Sequence, residues 1–127
     1  MANKWIEFAN PEKYRLVDLG RPAVFLIPVS KLKQEIGRET TIEDHIDQFL
    51  LKKFGSFTKI SFPSFGVWSK GEEVINDDCV QWKVSFSDKR KIPLLLAKLA
   101  EVAFLIGEEC IYVEAGQYAA LIYPSKK

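Results

Sequence analysis

Acidic residues gather at two places in this chain, and both have a composition that suits ion binding or proton transfer. Glu43, Asp44 and Asp47 surround His45, the single histidine. A metal site needs ligands converging on one face, and the positions three and four residues beyond His45 are Gln48 and Phe49, which supply no acid. These carboxylates read instead as the solvated first turn of a helix, where negative charge suits the helix dipole. The second group is Glu72, Glu73, Asp77 and Asp78. Its spacing is not that of a calcium-binding loop, and a solvated hairpin tip accounts for it. Lys89-Arg90-Lys91 is a short basic run ahead of an apolar segment and reads as a solvated turn. Cys79 and Cys110 have neither a CxxC spacing nor a histidine pair, and read as free thiols of a reducing cytoplasm. Neither a catalytic constellation nor a cofactor or metal motif rises out of the pattern.

The elements that position these groups are clearer. Ile92 to Ile106 is apolar except for Lys98 and Glu101, and Leu95, Leu99, Val102 and Ile106 recur at helical spacing. Pro93 suits a first turn, Asp88 is a candidate N-cap, and Gly107 a candidate C-cap. The helix is too short to cross a bilayer and carries two charges, so it belongs to a core. Thr40-Thr41 followed by Glu43 and Asp44 is a capping box. Ile42, Ile46, Phe49, Leu50 and Phe54 then line one face of a second helix, which Gly55 closes.

Ala23 to Val29 is apolar on both faces and predicts a central strand. Val80, Trp82, Val84 and Phe86 alternate with Gln81, Lys83 and Ser85, which predicts a half-buried strand over 79–87. Its partner, 58–68, changes the parity of its apolar residues near Pro63, which predicts a bulge or break near Pro63 to Gly66. The connection 69–78 is polar and reads as a long loop. Two short strands, 110–114 and 117–123, flank Ala115-Gly116.

This order predicts an α+β domain over 23–127: a ferredoxin-like split βαβ sandwich. Two main helices lie on one face of an antiparallel sheet, with an extra short C-terminal hairpin. Residues 1–22 form an N-terminal arm expected to pack on the domain, with a short strand or turn near Tyr14 to Leu19. No apolar run opens the chain, so no secretory leader is expected.

Phe54-Gly55-Ser56-Phe57-Thr58, then Gly66-Val67-Trp68 and Gly71, ahead of a strand and a long helix, resemble the motif of small bacterial proteins of the DUF3574-like type. Ser56 stands where that pattern has a second glycine, and Phe62-Pro63-Ser64-Phe65 fills its spacer. The resemblance implies a ferredoxin-like fold and no established activity.

The chain carries 18 basic and 17 acidic side chains. That balance argues against a nucleic-acid or anionic-membrane partner. The topology is also that of RNA recognition motifs, but Trp82 and Phe86 share the parity of core residues, and the outward set is Gln81, Lys83 and Ser85. The leading expectation is therefore a non-enzymatic cytoplasmic module that binds a protein or peptide in a regulatory or assembly role. The sheet side opposite the helices would be its working surface, with Phe65, Trp68, Lys83 and Tyr118 as contact residues, unless the arm covers it. The alternative is a small homodimeric α+β-barrel enzyme with a ligand cavity between sheets, in which His45 or the tip carboxylates move protons.

Overall fold

The computed structural model describes residues 7–37, 39–116 and 118–124; of residues 61–66, 68, 70 and 73–77 it describes the backbone alone. The elements run β1 (Arg21–Pro28), a single 3-10 turn (Val29–Lys31), α1 (Ile42–Phe54), β2 (Thr58–Lys70), β3 (Glu73–Phe86), α2 (Lys91–Ile106), β4 (Ile111–Ala115) and β5 (Tyr118–Ile122).

Both helices start and stop where their sequences dictate. Thr41 Oγ1 accepts from the Asp44 backbone N–H at 3.2 Å, meeting one of the first-turn donors that the helix itself cannot satisfy. Gly55 and Gly107 close the helices at φ of 84° and 71°, conformations that cost a glycine nothing. The expectation for Asp88 is corrected. The cap position of α2 is Arg90, and Asp88 makes a tight turn just ahead of it, accepting from the Arg90 N–H at 2.9 Å. The Arg90 guanidinium also grips that carboxylate and holds it below the usual range.

The five strands form one antiparallel sheet in the order β2-β3-β1-β4-β5. Strands β1 to β4 have the ferredoxin-like arrangement, with β1 in the middle between β3 and β4, and β5 is added outside β4. Each helix carries the chain over one intervening strand, α1 from β1 across β3 to β2 and α2 from β3 across β1 to β4, the kind of connection for which right-handed crossovers are the rule.

Alternation then divides the sheet into two surfaces. Ala23, Phe25 and Ile27 of β1, Val80, Trp82, Val84 and Phe86 of β3, and Ile111 and Val113 of β4 are buried. They form one core with Ile42, Ile46 and Leu50 of α1 and Leu95, Leu99, Val102, Ala103 and Ile106 of α2. Both helices therefore cover the same sheet face. Trp82 lies at its centre, fully buried and stacked on Phe25 with ring centroids 5.5 Å apart. Such a pair adds about 1 kcal/mol beyond the area it removes from water.

One further expectation holds, a little earlier in the strand than expected, and one changes. The bulge is present: between Ile60 and Ser64 β2 advances four positions while β3 advances two, from Gln81 to Cys79. The long loop is not. The two strands run on to Lys70 and Glu73, and Gly71-Glu72 turns the chain, with Gly71 at φ 64°. Asn76, Asp77 and Asp78 are poor strand formers, and pairing to the opposite strand overrides their preference. In the arm, Glu7 and Phe8 form part of a 3-10 turn, Pro11 to Lys13 a second turn, and Tyr14 to Gly20 no regular structure. The Tyr14 hydroxyl donates to the Phe8 carbonyl. Strand β1 begins at Arg21, two residues before the expected domain boundary.

Candidate functional site

The face away from the helices presents the opposite parity: Val24 and Leu26 of β1, Gln81, Lys83 and Ser85 of β3, Tyr112 and Glu114 of β4, and Thr58 and Ile60 of β2. The register aligns three of these in one row. Lys83 is opposite Val24, and Val24 is opposite Glu114. One cation and one anion thus stand on either side of an aliphatic residue, their Cα atoms roughly 10 Å apart across two strand spacings. Neither makes an ion pair among the described residues. The next row contributes Ile60, Gln81 and Leu26, and Tyr112 lies beside it, paired with Leu121 of β5. The arrangement suits a ligand that carries both charges and an apolar or aromatic body.

The described part of the arm leaves this face largely open. Residues 7–19 are exposed except Leu16, which is half-buried; with Val17, Leu19 and Gly20 it lines only a shallow depression.

The second polar assembly lies on the helix side. Lys59 of β2 donates to Glu43 Oε2 and to Asp47 Oδ2 of α1, each at 2.9 Å. Asp47 Oδ1 accepts from the Trp82 indole Nε1 at 2.9 Å. The Lys59 ammonium also sits 5.7 Å from the centre of the Trp82 ring. Burial lowers the Lys59 pKa, but the hydrogen bonds and charges of Asp47 and Glu43 outweigh it, and the net shift is upward. Every member is spoken for, so this is a brace between α1 and the sheet. It also corrects the expectation that the α1 carboxylates are merely solvated. His45 is half-buried too: its Nε2 lies 3.2 Å from Lys98 Nζ, which also donates to Glu101 at 2.7 Å. An ammonium only donates, so Nε2 accepts.

Of the residues expected to make contacts, Lys83 is exposed on the open face. Tyr118 is not its neighbour. It pairs with Ala115, which pairs with Ala23, and this parity puts Tyr118 on the helix side near the outer edge, 78% exposed. Phe65 pairs with Asp78 and Trp68 with Ile75 along the β2–β3 ribbon; their side chains lie outside the described residues. Of the tip carboxylates, Glu72 and Asp78 are exposed, and the side chains of Glu73 and Asp77 also lie outside the described residues. Sequence reasoning missed Glu114 and Tyr112. Their alternation with buried Ile111 and Val113 was the available signal, but only the β1–β4 pairing brings Glu114 into line with Lys83.

Among the described residues, no group of three or more His, Cys, Asp and Glu side chains is placed to hold a metal ion. Among them, no helix is long and apolar enough to cross a membrane.

No family model matches the chain, and no curated protein matches it. Two solved structures do. One is a phage SAM lyase in complex with S-methyl-5'-thioadenosine, at a TM-score of 0.55 and 19% identity, covering 87% of this chain and 95% of that one. The other is a phage SAM lyase in the apo state, at 0.56 and 17%, covering 90% and 98%. At this identity the likeness is one of fold. It nonetheless corrects the expectation of a non-enzymatic protein-binding or assembly module, because both of these solved chains, matched over nearly their whole length, are those of an enzyme. The expectation rested on the lack of a catalytic motif, and catalysis by placed charges on a preorganised surface requires none.

Proposed function

We propose that this protein is a lyase that cleaves a carbon–sulfur bond of S-adenosylmethionine and releases S-methyl-5'-thioadenosine. The observation that carries this reading is the row Lys83–Val24–Glu114 on the open sheet face, in a chain that superposes on a phage SAM lyase over nine-tenths of its length. S-Adenosylmethionine carries a carboxylate, an ammonium and a sulfonium on one short chain, with an aromatic base at the far end. Lys83 matches the carboxylate and Glu114 the ammonium, as charge-assisted partners. Val24 and Leu26 provide an apolar floor beneath the sulfonium, and Tyr112 a ring for the base.

The chemistry suits a site without an acid–base pair. When the bond between sulfur and the aminobutyrate chain breaks, its electron pair stays with sulfur, which leaves as a neutral thioether. The carbon left behind forms its new bond within the same substrate, to a carboxylate oxygen, closing a lactone. Two opposite charges disappear in that step, so no side chain has to give or take a proton. The protein's part is to fold the substrate so that the reacting atoms meet, and orientation of this kind supplies a large share of a barrier reduction.

We place the enzyme in the cytoplasm, where this substrate is made; Cys79 and Cys110, which form no disulfide, suit that compartment.

The test is incubation of the purified protein with S-adenosylmethionine, followed by chromatography. The expected result is stoichiometric conversion to S-methyl-5'-thioadenosine. Folded protein that leaves the substrate unchanged beyond its spontaneous decay would overturn the proposal.

A further inference from the structure

Gln81 is the one amide in an otherwise apolar row of the open face. The register sets Ile60 of β2 opposite Gln81, Gln81 opposite Leu26, and Tyr112 opposite Leu121. The β1–β4 pairing, carried one step beyond Phe25 and Val113, brings Tyr112 to the other side of Leu26. Across the strands the row therefore reads Ile60–Gln81–Leu26–Tyr112–Leu121. Leu26 and Gln81 are half-buried, and the other three are exposed. Ile60 and Leu26 flank the stem of Gln81. Its carboxamide head has two donor hydrogens and an acceptor oxygen, enough to serve more than one partner at once.

This row lies two residues along the strands from Lys83–Val24–Glu114, a step of roughly 7 Å. A substrate whose charged end is held at the first row extends its nucleoside over the second. The base then rests on Leu26, with Tyr112 on one side and Gln81 on the other. Tyr112 offers it a ring, and stacking of that kind accepts any base, because every base has a π-face. Of the row's other side chains, Ile60, Leu26 and Leu121 are hydrocarbon. Discrimination between bases therefore falls to Gln81.

We infer that Gln81 reads the base: its carboxamide donates to N7 of an adenine ring and accepts from the 6-amino group, which restricts the site to 6-aminopurine nucleosides. The inference rests on the reaction proposed above. A donor and an acceptor held side by side meet an acceptor and a donor, the bidentate pairing by which glutamine distinguishes adenine. A hypoxanthine ring has an oxygen where adenine has the amino group. The amide oxygen would then face another oxygen, and a polar group left without its partner is what makes such a site reject the wrong ligand.

The probes are S-methyl-5'-thioadenosine and its 6-oxo counterpart, S-methyl-5'-thioinosine, titrated by calorimetry. Neither carries the aminobutyrate charges, so Lys83→Met and Glu114→Gln should leave both affinities unchanged. The unsubstituted protein should hold the adenine form tighter by about 10-fold or more, the worth of one bidentate contact. Gln81→Met keeps the length of the side chain and removes the amide. It should weaken the adenine form until the two probes bind alike, with an unchanged unfolding midpoint. A preference that survives in Gln81→Met overturns the proposal. So does an unsubstituted protein that shows no preference or binds neither probe; if that protein still cleaves S-adenosylmethionine, the reaction stands without this reading of Gln81. Should Gln81→Met fail to fold, the 7-deaza form of S-methyl-5'-thioadenosine decides. Lacking N7, it should bind the unsubstituted protein more weakly than the parent, and equal affinity overturns the proposal.

Discussion

The indole Nε1 of Trp82 donates to Asp47 Oδ1 at 2.9 Å, joining the centre of the sheet to the middle of α1. It is the polar exit of an otherwise apolar core, since the rest of Trp82 is fully buried against Phe25. Trp82→Phe keeps a ring for Phe25 and deletes the donor, leaving a void where the second ring stood. A hydrogen bond to a charged acceptor and a partial cavity together are worth about 2 to 4 kcal/mol. Chemical denaturation should show that loss with little change in denaturant sensitivity. A variant within about 0.5 kcal/mol of the unsubstituted protein would mean that the bond contributes nothing net.

The same Asp47 holds Lys59, whose pKa is raised above its ordinary 10.5 although burial works the other way. A group whose proton is held more tightly in the folded state stabilises that state fully below its unfolded pKa. That contribution fades as pH climbs through the folded value. Stability should therefore be level on this account at neutral pH and decline above the ordinary lysine range. Lys59→Met should flatten the alkaline decline while lowering stability at neutral pH, because Glu43 and Asp47 would then face each other without a cation. Denaturant melts across the alkaline range check this, and an undiminished slope in Lys59→Met would remove Lys59 as its source.

Much of this fold was legible because the punctuation is local. Thr41, Gly55 and Gly107 sit within a few residues of the helices they bound, and Val80, Trp82, Val84 and Phe86 announce their shared face by alternation. What failed depends on distant pairing. Asn76-Asp77-Asp78 reads as loop because its strand character comes from β2 across the ribbon. Tyr118 and Lys83 lie on opposite sides of the sheet, a matter of parity carried through β4 and β1 that neither residue's own neighbourhood shows. The Lys83–Glu114 relation joins residues 31 positions apart that meet only through β1. Chemistry that depends on such a relation leaves no motif to find.

Gly20 turns the arm into β1 at φ 88°, hard against the end of β3. A Cβ there would collide with the Phe86 carbonyl and lie 2.8 Å from Ser87 Cα, and both obstacles are backbone. Asp18 supports the turn by accepting from the Gly20 N–H at 2.8 Å. Gly20→Ala combines a left-handed backbone with a clash that no side chain can relieve, so it should cost about 2 kcal/mol or more. Gly37→Ala shares the positive φ, 75°, but meets nothing within 4 Å, and should cost about 1 kcal/mol. Thermal unfolding of the two variants separates strain from collision; equal losses would show that the arm yields freely.

The functional reading makes its sharpest demand at Lys83 and Glu114. Both are exposed, and neither takes part in the core or in the Lys59 brace, so substitution should leave stability within about 0.5 kcal/mol. If the two hold the charged ends of the substrate, Lys83→Met and Glu114→Gln should each lower kcat/KM for cleavage of S-adenosylmethionine. The loss of one charge-assisted contact corresponds to about 10- to 100-fold. The two contacts grip one small molecule, so the double variant should lose less than the product of the single losses. Ser85→Ala, next along β3 on the same face, should be near normal. Full activity in both single variants, with S-adenosylmethionine still consumed, would keep the reaction and move the site elsewhere on the protein.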